Sequence, residues 1–69
     1  MEIEYELTDD YIELNNLLKL VGICDTGGQA KLYISEGIVS VDGRVETRKK
    51  CKIRRGQVVQ VDTQRIVIK

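Results

Sequence analysis

The sequence predicts an α+β fold, with two short packed helices beside a small, mostly antiparallel sheet. Three observations carry that expectation. Residues 1–7 alternate apolar and acidic side chains, residues 14–37 hold two apolar stripes at helical spacing, and residues 38–68 break into valine- and isoleucine-rich runs divided by turn chemistry. A chain of 69 residues has room for one modest core, so residues 1–69 read as a single domain.

In the first run Ile3, Tyr5 and Leu7 share one face and Glu2, Glu4 and Glu6 the other, the period of a half-buried strand. Thr8, Asp9 and Asp10 supply helix-start chemistry, and Asp10 with Glu13 fits a capping-box-like pair. Leu14, Leu17, Leu18 and Val21 then fall at i, i+3, i+4 and i+7, and Gly22 suits the position just beyond the helix end. Thr26-Gly27-Gly28-Gln29 has the spacing of a second capping box. Ala30, Tyr33, Ile34 and Gly37 repeat the stripe, and Gly37 ends it. Each helix is expected to span about eleven residues, too short to persist alone in water, so the two must pack on each other and on a sheet.

Beyond the helices, Ile38 to Val41 and Val45 flank Asp42-Gly43, a strong hairpin signal. A strict two-residue turn puts Val39 and Val41 on the face of Arg44 and Glu46 and leaves Val45 opposite, a mismatch that a longer or bulged connection would relieve. Val58, Val59 and Val61, then Ile66, Val67 and Ile68, supply two further strands.

Composition narrows the chemistry. The chain contains no histidine, which removes the commonest general base and metal ligand. Cys24 and Cys51 are far apart and outside any C-x-x-C pair, so no zinc site is expected. No pair of acids sits in a catalytic motif, and Gly27-Gly28 lacks the spacing and the Lys-Ser/Thr pair of a P-loop. The reading is a non-catalytic protein with no cofactor and no metal. The opening MEIEYELTDD is acidic and unlike a secretory leader, and no apolar run approaches the length of a membrane span. A cytoplasmic location follows as the expectation, with no membrane partner. One disulfide between the cysteines is formally possible, but in that compartment both are expected to be reduced.

The net charge of zero conceals a strong asymmetry. Residues 1–36 carry two cations and eight acids, 2 − 8 = −6, whereas residues 37–69 carry nine cations and three acids, 9 − 3 = +6. Seven cations lie between Asp42 and Gly56, in DGRVETRKKCKIRRG. No acid stands between Thr47 and Gln57, so the run is expected to lack local acidic partners and to attract phosphates. Two blander readings compete: the halves attract each other, or the cations form a solvated face. The three tyrosines all fall in the acidic half, so base stacking is not expected to dominate. The glycines at the second helix start expose backbone N–H groups to an anion, with Asp25 beside them making this a secondary contact.

The order of these parts resembles the S-four RNA-binding domain, the alpha-L motif named after ribosomal protein S-four, over residues 13–59. The matching positions are Leu14, Leu18, Gly22, Thr26, Ala30-Lys31, Gly37, Val39, Val41, Asp42-Gly43-Arg44, Ile53, Gly56 and Val58, without gaps. No single element is specific; the combined spacing is. The small stand-alone bacterial members are similar in length.

The resemblance implies an RNA-facing surface shared by the second helix and the following hairpin, and structured RNA, ribosomal or transfer, as the partner. The residues assigned to that surface are Thr26, Gly27, Gly28, Gln29, Lys31, Arg44, Thr47, Arg48, Lys49, Lys50, Lys52, Arg54 and Arg55, with the acidic half turned away. Glu13 and Gly27 stand where many members carry Arg, and Asp42 replaces the usual Asn of the turn. The run from Arg48 to Arg55 is expected to take over part of the lost helical footprint. The alternative is a protein-interaction adaptor that docks an acidic partner through the same basic face.

Overall fold

Alternation in the first run builds one edge of a sheet. In the computed structural model, which describes residues 2–69, strand β1 (Glu2–Tyr5) packs Ile3 and Tyr5 against the core and leaves Glu2 and Glu4 exposed. Met1, the first residue of the expected strand, lies outside the described residues.

The next element departs from expectation. Asp10 and Glu13 form no capping box; Ile12 and Glu13 instead make a two-residue strand, β2 (Ile12–Glu13), and helix α1 (Leu14–Leu20) begins only after it. Glu13 occupies the N-cap with extended backbone and makes no side-chain cap bond. The orphan amides find distant partners: Leu14 N–H donates to the Cys51 carbonyl at 2.9 Å, and Asn15 N–H to the Lys49 carbonyl at 3.0 Å. Main-chain carbonyls from the basic segment thus do the work assigned to a side chain.

Helix α2 (Gly27–Ser35) starts as its sequence dictates. The Thr26 hydroxyl accepts the Gln29 N–H at 3.1 Å, and the Gln29 amide oxygen accepts the Asp25 N–H at 2.8 Å. The helices run seven and nine residues, shorter than the periodicity suggested, because a strand claims the first turn of one and Gly22 and Gly37 close both.

The remaining strands are β3 (Val39–Val41), β4 (Arg44–Val45), β5 (Lys52–Ile53), β6 (Val58–Val61) and β7 (Gln64–Ile68). Five of the strands form one sheet in the order β1-β7-β6-β3-β4, antiparallel except for the β1–β7 pair. β2 and β5 form a separate antiparallel ribbon with Ile12 opposite Ile53 and Glu13 opposite Lys52. Leu14, Leu17, Leu18, Ala30 and Ile34 from the helices meet Val39, Val59, Val61, Ile66 and Ile68 from the sheet in one core, joined by Leu7, Cys24 and Ile53.

The β3–β4 hairpin is the strict two-residue form, without a bulge. Asp42 and Gly43 have φ of 51° and 85°, the two positive values that match hairpin twist, and Ser40 then opposes Val45. Val45 consequently faces solvent, 64% exposed, as the register requires. An edge strand of two residues tolerates this, and the Val45 side chain lies beside Gly37. The Asp42 carboxylate fastens the turn to β6 by accepting the Val58 N–H at 2.9 Å and the Gln57 amide at 3.2 Å.

Candidate nucleic-acid interface

The basic segment is a folded loop with a fixed backbone. After β4, the Glu46 N–H continues the hairpin ladder to the Val39 carbonyl at 2.9 Å. Arg48 to Cys51 then makes a turn closed by the Cys51 N–H on the Arg48 carbonyl, 3.1 Å, which puts Lys49 and Lys50 at its exposed central positions. The carbonyls bound by Leu14 and Asn15 come from this same turn. Docking on the start of α1 therefore uses the loop's main chain and leaves its ammonium groups free to face solvent.

Alternation in β5 sorts the next residues. Ile53 is fully buried, while Lys52 and Arg54 project outward on either side of it. Arg48, Lys50, Cys51, Lys52 and Arg54 line a shallow depression of about 440 Å³. Four of the sequence-assigned cations thus converge on one concave surface. Arg54 to Gln57 forms the following turn, with the Gln57 N–H on the Arg54 carbonyl at 3.3 Å and Gly56 at φ 90°.

Arg48 and Arg55 of the basic segment have side-chain hydrogen-bond partners within the protein. Arg48 is held by Glu46: Nε donates to one carboxylate oxygen at 2.9 Å, Nη2 to the other at 3.1 Å, and the Arg48 N–H adds a third bond at 3.0 Å. The Arg48 side chain, then its backbone N–H, holds the Glu46 carboxyl at about 2, well below its ordinary 4.5. The expectation of a run without local acidic partners is corrected here, because an acid just upstream of the run folds back onto it. Arg55 donates from Nη2 to the Leu7 carbonyl at 2.7 Å and ties the segment to the chain leaving β1.

The other assigned residues stand apart from that depression. Arg44 is exposed on the edge strand β4, and Thr47 is exposed in the loop. Thr26, Gly27, Gly28 and Gln29 form the start of α2, with Lys31 exposed one turn on. The Thr26 hydroxyl and the Gln29 side-chain oxygen are already engaged in capping.

Sequence reasoning missed Tyr11. Its ring is 40% exposed, with Lys52 Nζ 4.9 Å and Arg54 Cζ 6.0 Å from its centroid. The β2–β5 register puts it there: with Ile12 opposite Ile53, the residue before Ile12 falls beside Arg54 and diagonal to Lys52. Only the pairing of two two-residue strands reveals this neighbourhood. Tyr11 also lines a groove of about 700 Å³ with Asp9, Asp10 and Glu13. The acidic half is therefore not turned away as a block; part of it borders the basic surface.

The cysteines serve packing. Cys24 is buried in the core and Cys51 is half-buried; burial, aided by Asp25 and Glu46 respectively, pushes both thiols above their ordinary value. Among the described residues no group of three His, Cys, Asp or Glu is arranged to hold a metal ion, and no helix is long and apolar enough to cross a membrane.

Comparison with known proteins gives consistent results. The family model described as S4 domain matches residues 5–69. YbcJ of Escherichia coli (strain K12), whose name assigns it RNA binding provisionally, is 59% identical over 49 residues, covering 71% of this chain and 70% of that protein. The solution structure of the E. coli YbcJ protein, described as revealing an alpha-L motif involved in RNA binding, superposes with a TM-score of 0.65 at 44% identity, covering 96% of this chain and 85% of that one. The 30S ribosomal protein S4e of Thermoplasma acidophilum shares the fold, with a TM-score of 0.63 at 22% identity over 84% of this chain and 31% of its own.

Proposed function

This chain belongs to the S4 domain family, and we propose that it is a non-catalytic, cytoplasmic RNA-binding module that recognises structured RNA, ribosomal or transfer, by its phosphate positions. The observation that carries the reading is the convergence of Arg48, Lys50, Lys52 and Arg54 on one depression. Spaced cations around a concavity raise the local potential for phosphates, and a backbone fixed by main-chain bonds holds them at defined separations. Lys49 extends this surface at the loop tip, and Arg44, Thr47 and Arg55 flank it along the chain. The start of α2 and Lys31 form the helical part of the footprint, with backbone N–H groups of Gly27 and Gly28 as anion donors. The similarity to YbcJ, a protein named and described for RNA binding, supports the class of partner.

Replacing Lys49, Lys50 and Lys52 together by Gln tests the reading. All three are exposed and make no ion pair among the described residues, so the variant should lose no more than about 1.5 kcal/mol of stability in total, since surface changes cost at most about 0.5 kcal/mol each. Affinity for ribosomal or transfer RNA should fall, and the slope of log affinity against log salt should flatten by roughly 0.7–0.9 per lost phosphate contact, about two in all. A wild-type protein with no salt-dependent affinity for either RNA would sink the proposal, and binding to an acidic protein in its place would favour the adaptor reading.

A further inference from the structure

We infer that Tyr11 is a stacking platform for an unpaired nucleobase, with the flanking phosphates held by Lys52 and Arg54. The inference rests on the RNA-binding reading above and adds to it a feature of the RNA: a base free of a helix, in a loop, bulge or end.

A tyrosine 40% exposed just before a two-residue strand is not there for the core, and Ile12, its neighbour, takes the inward position. Lys52 and Arg54 both approach the ring, at 4.9 and 6.0 Å from its centroid. Exposed cation–π contacts of this kind are weak and exchangeable. A base offers the ring a larger aromatic face, and the displaced ammonium and guanidinium groups need move only to the phosphates on either side of that base. Aromatic rings flanked by cations hold unpaired nucleotides by this combination of stacking and charge.

The groove that Tyr11 also lines is acidic on balance. Asp9, Asp10 and Glu13 line this groove with Lys19 and disfavour phosphates there, whereas Arg48, Lys50, Lys52 and Arg54 line the depression, with Glu13 directly opposite Lys52 where acids and cations adjoin. The cations of the depression favour the sugar–phosphate chain, and a neutral base is the part of the strand that the neighbouring acids do not repel from the ring. A continuous duplex, whose bases are stacked inside, has nothing to offer Tyr11 and uses the cations alone.

The test compares two RNA probes of equal phosphate count, a hairpin with an unpaired loop and a blunt, fully paired duplex. Their affinities are measured by fluorescence anisotropy for wild type, Tyr11→Phe and Tyr11→Leu. The ratio of hairpin to duplex affinity should drop in Tyr11→Leu by roughly 5- to 150-fold, the equivalent of about 1–3 kcal/mol per stacked base. Tyr11→Phe should restore the ratio, and the salt slope of hairpin binding should be the same in all three, because stacking releases no counterions. A ratio unchanged in Tyr11→Leu overturns the inference. So does an equal loss on both probes with a flatter slope, which would make the ring a support for the two cations only. Absence of wild-type binding to either probe is a different outcome: it removes the RNA-binding reading itself, and this inference with it.

Discussion

The five-stranded sheet and the β2–β5 ribbon are held by different parts of the chain. In the sheet, alternate side chains do the work: Val39, Val59, Val61, Ile66 and Ile68 are buried against Leu14, Leu17, Leu18, Ala30 and Ile34 from the helices. In the ribbon and its loop only Ile53 is fully buried, and the attachment is largely main chain, through the carbonyls of Lys49 and Cys51 on the start of α1. The difference teaches where charge can be placed without loss of fold. A segment whose backbone is its anchor can carry a dense set of cations, because their side chains are not needed to hold it. Substitutions in the two regions should therefore differ in kind.

The largest effect belongs to the sheet side. Leu17 is fully buried between the helices and the sheet, and Leu17→Ala should destabilise the protein by about 2–5 kcal/mol through lost burial and an unfilled cavity. A domain of this size holds only about 3–10 kcal/mol in total, so much of the variant should be unfolded at physiological temperature. Urea denaturation followed by circular dichroism would measure it. A loss as small as that of the triple lysine variant would break the comparison, since it would mean the core is no more demanding than the loop.

The same contrast explains what could be read from the sequence. The α2 cap from Thr26 to Gln29, the Asp42-Gly43 turn and the alternation of β1 are local signals, each complete within a few residues, and all three appear in the structure. The start of α1 is different. Asp10 and Glu13 carry the letters of a cap, but Leu14 and Asn15 are satisfied by carbonyls from residues 49 and 51, a partner no window around residue 13 contains. Tyr11 was invisible for the same reason, because its neighbours Lys52 and Arg54 are set by a non-local register. The cations were legible as a cluster. That Arg48 and Arg55 are partnered within the protein was not, since Glu46 and the Leu7 carbonyl act through folded geometry.

Arg55 offers an intermediate case that sharpens the comparison, being the cation in the segment whose side chain reaches back to the β1 exit. Its bond to the Leu7 carbonyl joins residues 48 positions apart. Arg55→Met keeps most of the apolar stem and removes the donor, leaving a part-buried carbonyl short of its charged partner. The expected loss is about 1–2 kcal/mol, against near zero for Lys50→Met at the loop tip. Chemical denaturation of the two single variants measures the difference directly. Equal stabilities would show that the ribbon is held by its main chain and Ile53 alone.

The smallest effect is expected at Glu46, whose partner Arg48 is only two residues away and mostly exposed. Its carboxyl sits at about 2 in the folded protein against an ordinary 4.5, because the Arg48 side chain and N–H bind the charged form. A depressed folded-state value means that the carboxylate contributes stability above pH 4.5 and loses it as pH falls from there through about 2. Glu46→Gln lacks this contribution at every pH, so its stability should lie slightly below wild type at neutral pH and converge with it in that acid window. Urea midpoints collected across the window would show the narrowing gap; two parallel curves would remove the Glu46–Arg48 clamp as a contributor. The same variant should bind RNA slightly more tightly at neutral pH and low salt, because Arg48 no longer has a carboxylate of the protein to neutralise it. Weaker binding would mean that the clamp positions Arg48 for the phosphate, and that Glu46 belongs to the interface rather than competing with it.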